Sequence, residues 1–296
     1  MRAITLLLTG ILLTVLFVVA GCGGGGSGES MVRLVVGDAP LHLDDGTVVS
    51  EVNVEITRVE LIADGAEDSP RVTLFEGSET LNLLALANKP VAQLPQIGLV
   101  AVPPGTYTQL RLIVSEAGSS VVLEGGDINP LKVASGEQTG LKVVDLNFTV
   151  SPGMTTVMLL DFDLSKLHEN KQFLLTPNAI RVVKLNDAGS ITGTLALPAN
   201  ALGTATITDV VSSLTLHRAG SPDAIAFTQV VLNSEATAQV FTINGVPAGT
   251  DWVVTSNTTY QEQTSTFDIP PAPATATVTA GGTTDLGTTE VQGITF

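Results

Sequence analysis

The chain has 296 residues, which is long enough for two domains of ordinary size, and its residues are 44% hydrophobic and only 14% charged. This composition excludes a disordered chain, and the formal net charge of −16 argues against a nucleic acid or an anionic membrane surface as the main partner, because both require a basic patch. The single cysteine excludes an internal disulfide framework and a cysteine-rich zinc site.

The N-terminus has the pattern of a bacterial lipoprotein signal. Arg2 gives a basic start, residues 4–19 are mainly apolar, and Val19-Ala20-Gly21-Cys22 resembles the lipobox, in which the cysteine thiol receives a diacylglyceryl group. The pattern predicts a signal peptide over residues 1–21, cleavage before Cys22 and lipidation of Cys22. The alternative is an uncleaved transmembrane helix with a chance cysteine, but the apolar run is slightly short for a span and polar residues interrupt it.

Residues 22–30 are rich in glycine and serine, and we expect them to form a flexible tether between the lipid and the folded part. Gly23 follows the cysteine where an aspartate would favour inner-membrane retention, which by resemblance to the enterobacterial sorting rule favours the outer membrane. The expected location is therefore the bacterial cell envelope, with the membrane contacted through the N-terminal lipid.

From Met31 onward, short apolar runs are separated by turn residues, which is typical of β-strands. Residues 52–56 alternate between apolar and polar, and the phase of the alternation shifts at residues 57–58, which predicts a β-bulge. Only residues 81–88 (LNLLALAN) resemble a short helix, which ends before Pro90.

The composition changes near Gly189. From Cys22 to Asp187 there are 11 Lys and Arg against 21 Asp and Glu, whereas the remainder has one base, Arg218, against eight acids and is rich in Thr and Ala. We therefore predict two domains, residues 31–187 and 188–296, to within a few residues. Many strands at short spacing without intervening helices predict an all-β protein with two β-sandwich-like domains.

The first of these domains resembles bacterial lipoproteins of domain-of-unknown-function family 4382. The resemblance is carried, in the family's order, by VGDAP (36–40), VNVEITRVEL (52–61), LNLLAL (81–86), VPPGTYTQLRLIV (102–114), LKVASGEQTGLKV (131–143), LLDFDLSK (159–166) and LTPNAIRVV (175–183). It implies a secreted or lipid-anchored β-rich domain with no assigned activity and no catalytic residue.

The second domain resembles carboxypeptidase regulatory-like modules, which are small seven-stranded transthyretin-like sandwiches. The carriers are GSITGTL (189–195), FTINGVPAGTDWVVTS (241–256) and VTAGGTTDLGTTEV (278–291). The resemblance implies a non-catalytic spacer or binding unit, and an immunoglobulin-like sandwich remains an alternative.

Asp161 and Asp163 are the paired carboxylates of the sequence. They are two residues apart on a predicted strand, so both project from one face, opposite Met158, Leu160 and Phe162. Three readings are open. The carboxylates pair with bases such as Arg111, Lys132, Lys142 or Arg181, or bind backbone amides; they hold Ca²⁺ with help from Asp145 or Asn147; or they act as a catalytic acid and base.

No other pattern indicates catalysis. The sequence lacks a G-x-S-x-G turn and a phosphate-binding glycine loop, and the three histidines, His42, His168 and His217, have no paired metal-ligand spacing. Trp252 and Tyr260 are candidates for a modest sugar-binding face, although the position of Trp252 after a turn favours a core residue.

The sequence therefore predicts a non-enzymatic, lipid-anchored binding or structural module with no required cofactor. Its partners would be a polysaccharide or an envelope protein and not a nucleic acid. The alternative is an adhesin-like surface protein that binds calcium or polysaccharide through the Asp161 and Asp163 face.

Overall fold

The computed structural model describes residues 28–39, 48–63, 70–134, 136–169, 172–201, 206–269 and 275–296. The predicted signal peptide, Cys22 and most of the predicted tether lie outside the described residues. Within the described ranges, no helix is long and apolar enough to cross a bilayer.

The described chain folds mainly into strands, as expected from its abundance of Val and Thr. In chain order the strands are β1 Met31–Ala39, β2 Val49–Ile62, β3 Arg71–Asn82, β4 Gln96–Ala101, β5 Gly105–Tyr107, β6 Gln109–Leu123, β7 Ile128–Val133, β8 Leu141–Val143, β9 Phe148–Val150, β10 Thr155–Asp163, β11 His168–Glu169, β12 Gln172–Leu175, β13 Ile180–Lys184, β14 Ala188–Ala196, β15 Val210–Arg218, β16 Ala226–Leu232, β17 Ala238–Pro247, β18 Gly249–Tyr260, β19 Gln263–Ile269, β20 Ala276–Val278 and β21 Thr283–Glu290. The helical pieces are α1 Gly136–Thr139 and the 3-10 turns Leu83–Leu86, Val91–Gln93, Leu164–Lys166, Pro177–Ala179, Leu185–Asp187 and Ala199–Ala201.

The first half of the chain, up to Asp187, contains two large sheets around one core. One has the strand order β13-β10-β1-β4, and the other has the order β11-β12-β7-β6-β2-β3 with β8 also paired to β6. Strands β5 and β9 form a separate pair. The buried cluster of this half includes Leu34, Ile56, Leu112 and Phe162. The two sheets therefore pack around a shared hydrophobic core.

The second half, from Ala188, has its own pair of sheets and its own core. Its sheets have the orders β17-β14-β21 and β16-β15-β18-β19, with β20 also paired to β18. Leu214, Phe241, Trp252 and Val254 belong to the second buried cluster. The expected all-β class with sandwich-like packing is confirmed.

The predicted irregularity in β2 is also confirmed. The side chains of Val52, Val54 and Ile56 are buried, and so is that of Val59 on the shifted phase. The pairing of β2 with β3 and with β6 shifts register between Ile56 and Arg58. An extra residue at this point keeps apolar side chains on the core face along the whole strand.

The prediction of a helix over residues 81–88 is wrong. Leu81 and Asn82 still belong to β3, where they lie opposite Val54 and Asn53, so only Leu83–Leu86 forms a single 3-10 turn. Asn88 then adopts the left-handed conformation with φ of 58°, which helices do not continue. Sheet pairing on one side and this backbone reversal on the other leave no room for a second helical turn.

Glu116 on β6 fixes the end of the neighbouring strand β7. Its Oε1 accepts a hydrogen bond from the Val133 N–H at 2.8 Å, and its Oε2 lies 3.3 Å from Lys132 Nζ. The Val133 N–H is the main cause that holds the pKa of Glu116 below its ordinary value of 4.5; burial opposes this effect and Lys132 adds to it.

A carboxylate with a lowered pKa in the folded state contributes stability above its unfolded pKa and loses that contribution as the pH falls through the folded value. We expect Glu116→Gln to lower the melting temperature near neutral pH and the difference from wild type to shrink below about pH 4.5. Circular dichroism melts across this range measure it. Glu124→Gln, at an exposed position just after the same strand, is the control, and a pH-independent difference for Glu116→Gln would contradict the assignment.

Candidate functional site

Asp161 and Asp163 project from β10 on the face opposite Met158, Leu160 and Phe162, as the sequence predicted, although the fully buried Leu159 shares the face of the aspartates. Met158, Leu160 and Phe162 are fully buried, whereas both aspartates are half-buried. Asp161 lies opposite Arg181 on β13, and its Oδ2 accepts hydrogen bonds from Arg181 Nη2 at 2.6 Å and Nε at 3.0 Å. The pairing of Asp161 with Arg181, one of the bases named from the sequence, is confirmed.

Asp163 ends β10 and caps the following 3-10 turn. Its Oδ1 accepts the Ser165 N–H at 3.2 Å, and its Oδ2 lies 2.9 Å from Lys166 Nζ. The sequence analysis did not name Lys166 as a partner of Asp163. The signal for this pair was its spacing, because side chains three residues apart can meet in a helical turn. Arg111 and Lys132 have other acidic partners, Glu60 and Glu116.

Both aspartates that were predicted as calcium ligands already form ion pairs, Asp161 with Arg181 and Asp163 with Lys166. Within the described part of the chain, no group of three or more His, Cys, Asp or Glu side chains is placed to hold a metal ion. Asp145 has a left-handed φ of 56° in the turn before β9. A calcium ion at Asp161 and Asp163 would have to displace Arg181 and Lys166, and this site stays a prediction.

Arg181 also reaches the second half of the chain. Its Nη2 donates to the Asn244 carbonyl at 2.9 Å and its Nη1 to the Gly245 carbonyl at 3.2 Å, both on β17. The Asn244 side chain donates from Nδ2 to the Lys89 carbonyl at 2.8 Å and accepts from Ser190 Oγ at 2.8 Å. One guanidinium group thus joins a carboxylate of the first core to the backbone of the second.

Asn88 makes a second connection between the halves. Its Oδ1 accepts from Thr228 Oγ1 at 2.8 Å and from the Thr242 N–H at 3.1 Å, and its Nδ2 donates to the Gln229 carbonyl at 3.0 Å. The left-handed backbone of Asn88, which asparagine tolerates better than most residues, turns this side chain toward β16 and β17. We call Asn88, Arg181 and Asn244 the polar junction.

Two cavities lie beside the polar junction. The smaller, of about 220 Å³, is lined by Asp161, Asp163, Lys166 and Arg181 from the first half and by residues 224–227 from the second. The larger, of about 710 Å³, is lined by Arg33, Asn88 and residues 90–92 on one side and by β14, β17 and residues 281–283 on the other. We call this larger cavity the junction cleft.

The aromatic residues considered as a sugar-binding face are core residues instead. Trp252 is 2% exposed, and its Nε1 donates a hydrogen bond to the Pro247 carbonyl at 3.1 Å. The Arg218 guanidinium stacks over its ring, 3.7 Å from the ring centroid. Tyr260 is 8% exposed and packs against Phe296 with ring centroids 5.3 Å apart. The core reading of Trp252 is confirmed, and an exposed Trp252 and Tyr260 platform is wrong.

His217 is the histidine whose side chain the described residues include. Its Nε2 lies 2.6 Å from Thr255 Oγ1, its Nδ1 lies 3.0 Å from the Arg218 carbonyl, and Thr255 Oγ1 donates to Asp268 Oδ1 at 2.7 Å. In a hydrolytic triad the carboxylate orients the imidazole, whereas here it binds the hydroxyl. This order of contacts ties the hydroxyl to an acceptor and leaves it poorly suited to attack a substrate.

Sequence reasoning missed Asn88, Asn244 and Arg33. Asn88 precedes Lys89-Pro90, and an asparagine in a turn is a signal for positive φ. That signal does not reveal the partners, because Thr228 and Thr242 are remote in sequence and only the folded chain brings them close.

The polar junction predicts a distinct cost for Arg181→Gln. The substitution leaves the half-buried Asp161 carboxylate without its cation and removes two bonds to β17, so we expect a loss of about 2–3 kcal/mol in the free energy of unfolding. Lys166→Gln is the matched control, because its ion pair is more exposed, with an expected loss below about 1 kcal/mol.

Urea denaturation of both variants and of Asp161→Asn/Arg181→Gln measures these costs. The double variant should recover part of the loss, since it removes the uncompensated charge. Equal losses for Arg181→Gln and Lys166→Gln would refute the role assigned to Arg181.

Comparisons with known proteins identify the first half only. No curated protein matches the chain. Similar solved structures include the minor pilin GBS52 of Streptococcus agalactiae (13% identity, 88% of this chain and 94% of that chain, TM-score 0.23) and a putative cell adhesion protein of Bacteroides fragilis (9% identity, 88% and 93%, TM-score 0.22). At these TM-scores the likeness carries no functional argument. The family model for the domain of unknown function DUF4382 matches residues 29–177, half of the chain, and the chain belongs to this family.

Proposed function

We propose that the chain is a lipoprotein of the bacterial cell envelope, anchored in the outer membrane through Cys22, whose folded part is a non-catalytic binding or structural module. The observation that carries the proposal is the lipobox Val19-Ala20-Gly21-Cys22 directly before a glycine-rich stretch. Each buried methylene of an acyl chain contributes about 0.8 kcal/mol, so several chains together hold a protein firmly at a bilayer.

The arrangement of the folded part supports a module of two units, residues 31–187 and 188–296. Sheets and hydrophobic clusters divide between these ranges, and the polar junction ties the units together. The second unit is proposed to be a carboxypeptidase regulatory-like sandwich, because β17 ends in a Pro247-containing turn and β18 places Trp252 in the core. Two tied sandwiches form a stiff unit that a flexible tether would hold away from the membrane.

The non-catalytic part of the proposal is supported by the way the polar side chains are used. Asp161 and Asp163 serve ion pairs and a turn, and Thr255 donates to Asp268 instead of being activated by His217. These contacts favour structural roles for the groups that would otherwise be the first candidates for acid–base or nucleophilic chemistry.

We expect Cys22→Ser to move the protein from the membrane fraction to the soluble fraction, because serine cannot form the thioether that carries the lipid. Fractionation of cells followed by a high-salt wash measures this. Ser27→Ala, in the same predicted tether, is the control and should stay with the membranes. A Cys22→Ser protein that stays membrane-bound after the wash would show that the anchoring proposal is wrong.

A thermal melting experiment distinguishes the proposed module from the calcium-binding alternative. We expect calcium at roughly millimolar concentration, the range of weak extracellular sites, to leave the melting temperature unchanged, because Arg181 and Lys166 already neutralise the two aspartates. Magnesium is the ionic control. A calcium-specific rise in wild type that is absent in Asp161→Asn/Asp163→Asn would support the adhesin-like alternative instead.

A further inference from the structure

The junction cleft has the size and position of a ligand site. Its volume of about 710 Å³ falls within the range of roughly 300–1,000 Å³ that is usual for small-molecule pockets, which form preferentially between domains. The polar junction borders it through Asn88, so its two walls are held by the same contacts that join the halves. The cleft is therefore part of the folded architecture.

Among the described residues that line this cleft, Arg33 is the charged one. On β1 its neighbours Val32 and Leu34 are buried in the first core, so Arg33 projects from the opposite face of the sheet, into the cleft. Its Nε is enclosed and has no hydrogen-bond partner in the described part of the chain. None of the ion pairs formed by the described residues includes Arg33.

An enclosed donor without a partner destabilises the folded state, and the cost is larger when the group carries charge. The chain has 29 acidic residues, yet among the described residues none of them lines the cleft around Arg33. A guanidinium without an ion-pair partner, in a site without carboxylates, is suited to a carboxylate from outside, which its two Nη atoms can bind through two parallel hydrogen bonds.

The rest of the lining defines the body of such a ligand. Val91, Leu185 and Val240 give the cleft apolar walls, and the side chain of Val240 is 56% exposed although it is large and hydrophobic. Hydroxyl groups of the lining come from Ser190, Thr192, Thr242 and Thr283. Within the described residues no aromatic side chain lines the cleft, so a platform for stacking sugar rings is absent there.

We propose that the junction cleft binds a monocarboxylate with an apolar body, whose carboxylate pairs with Arg33 while the body packs against Val91, Leu185 and Val240. Two sources share this chemistry: a free branched aliphatic acid, and the C-terminus of a protein chain that ends in an apolar residue. The inference deepens the proposed binding role of the folded part and is independent of the lipid anchor.

Calorimetric titration of the full, detergent-solubilised protein with 4-methylpentanoate and with acetyl-alanyl-leucine tests the proposal, and the corresponding amides are the uncharged probes. We expect at least one acid to bind tenfold or more tightly than its amide, which corresponds to about 1.4 kcal/mol. Tighter binding of the free aliphatic acid identifies a small-molecule site, and tighter binding of the peptide acid identifies a chain terminus.

Arg33→Gln should remove the preference for acid over amide, whereas Lys142→Gln, an exposed cation outside the cleft lining, should keep it. Val240→Asp is a second variant at an exposed position, and it should weaken acid binding at least tenfold by placing a competing carboxylate in the cleft. Thermal melts establish that each variant is folded.

The proposal is overturned if neither acid binds, if the acids and amides bind equally, or if folded Arg33→Gln and Val240→Asp both bind like wild type. None of these outcomes bears on anchoring, because the membrane fractionation of Cys22→Ser reports on the lipid alone. Calorimetry therefore tests the ligand proposal, and membrane fractionation tests the anchoring proposal independently of it.

Discussion

The ion pair between Asp161 and Arg181 is the contact on which the relation between the two halves depends. A half-buried carboxylate on the central strand β10 requires a cation, and Arg181 on the adjacent strand supplies it with two hydrogen bonds to one oxygen. The remaining donors of the guanidinium then face outward, where the carbonyls of Asn244 and Gly245 accept them. Arg181 therefore both neutralises the charge of Asp161 in the first half and attaches the second half through β17.

This coupling also places the junction cleft. Arg181 and Asn88 both contact β17, and β17 supplies Val240 to the cleft wall that faces Arg33. A change in the orientation of the halves would alter the distance between Arg33 and Val240. The polar junction and the cleft therefore share Asn88 and strand β17.

Features that depend on neighbouring residues could be predicted from the sequence, whereas features that depend on contacts between remote residues could not. Strands and the β2 bulge were predictable because apolar alternation is a local pattern, and the residue 57–58 phase shift is visible in it. The helix over residues 81–88 was not, because pairing of Leu81 with Val54 overrides local helix preference. Asn88 and Arg33 could not be assigned, since the roles of both depend on residues from the second half.

The parallel pairing of β14 with β21 has a consequence for how the protein folds. The first strand of the second half is completed on one side by the last, so this sheet closes only after every intervening strand is available. Pairings between distant segments form slowly, and until they form, β14 presents an open edge that invites pairing with other chains. The interval before β21 pairs with β14 is therefore the period in which this sheet is most exposed to aggregation, and pairing with β21 ends it.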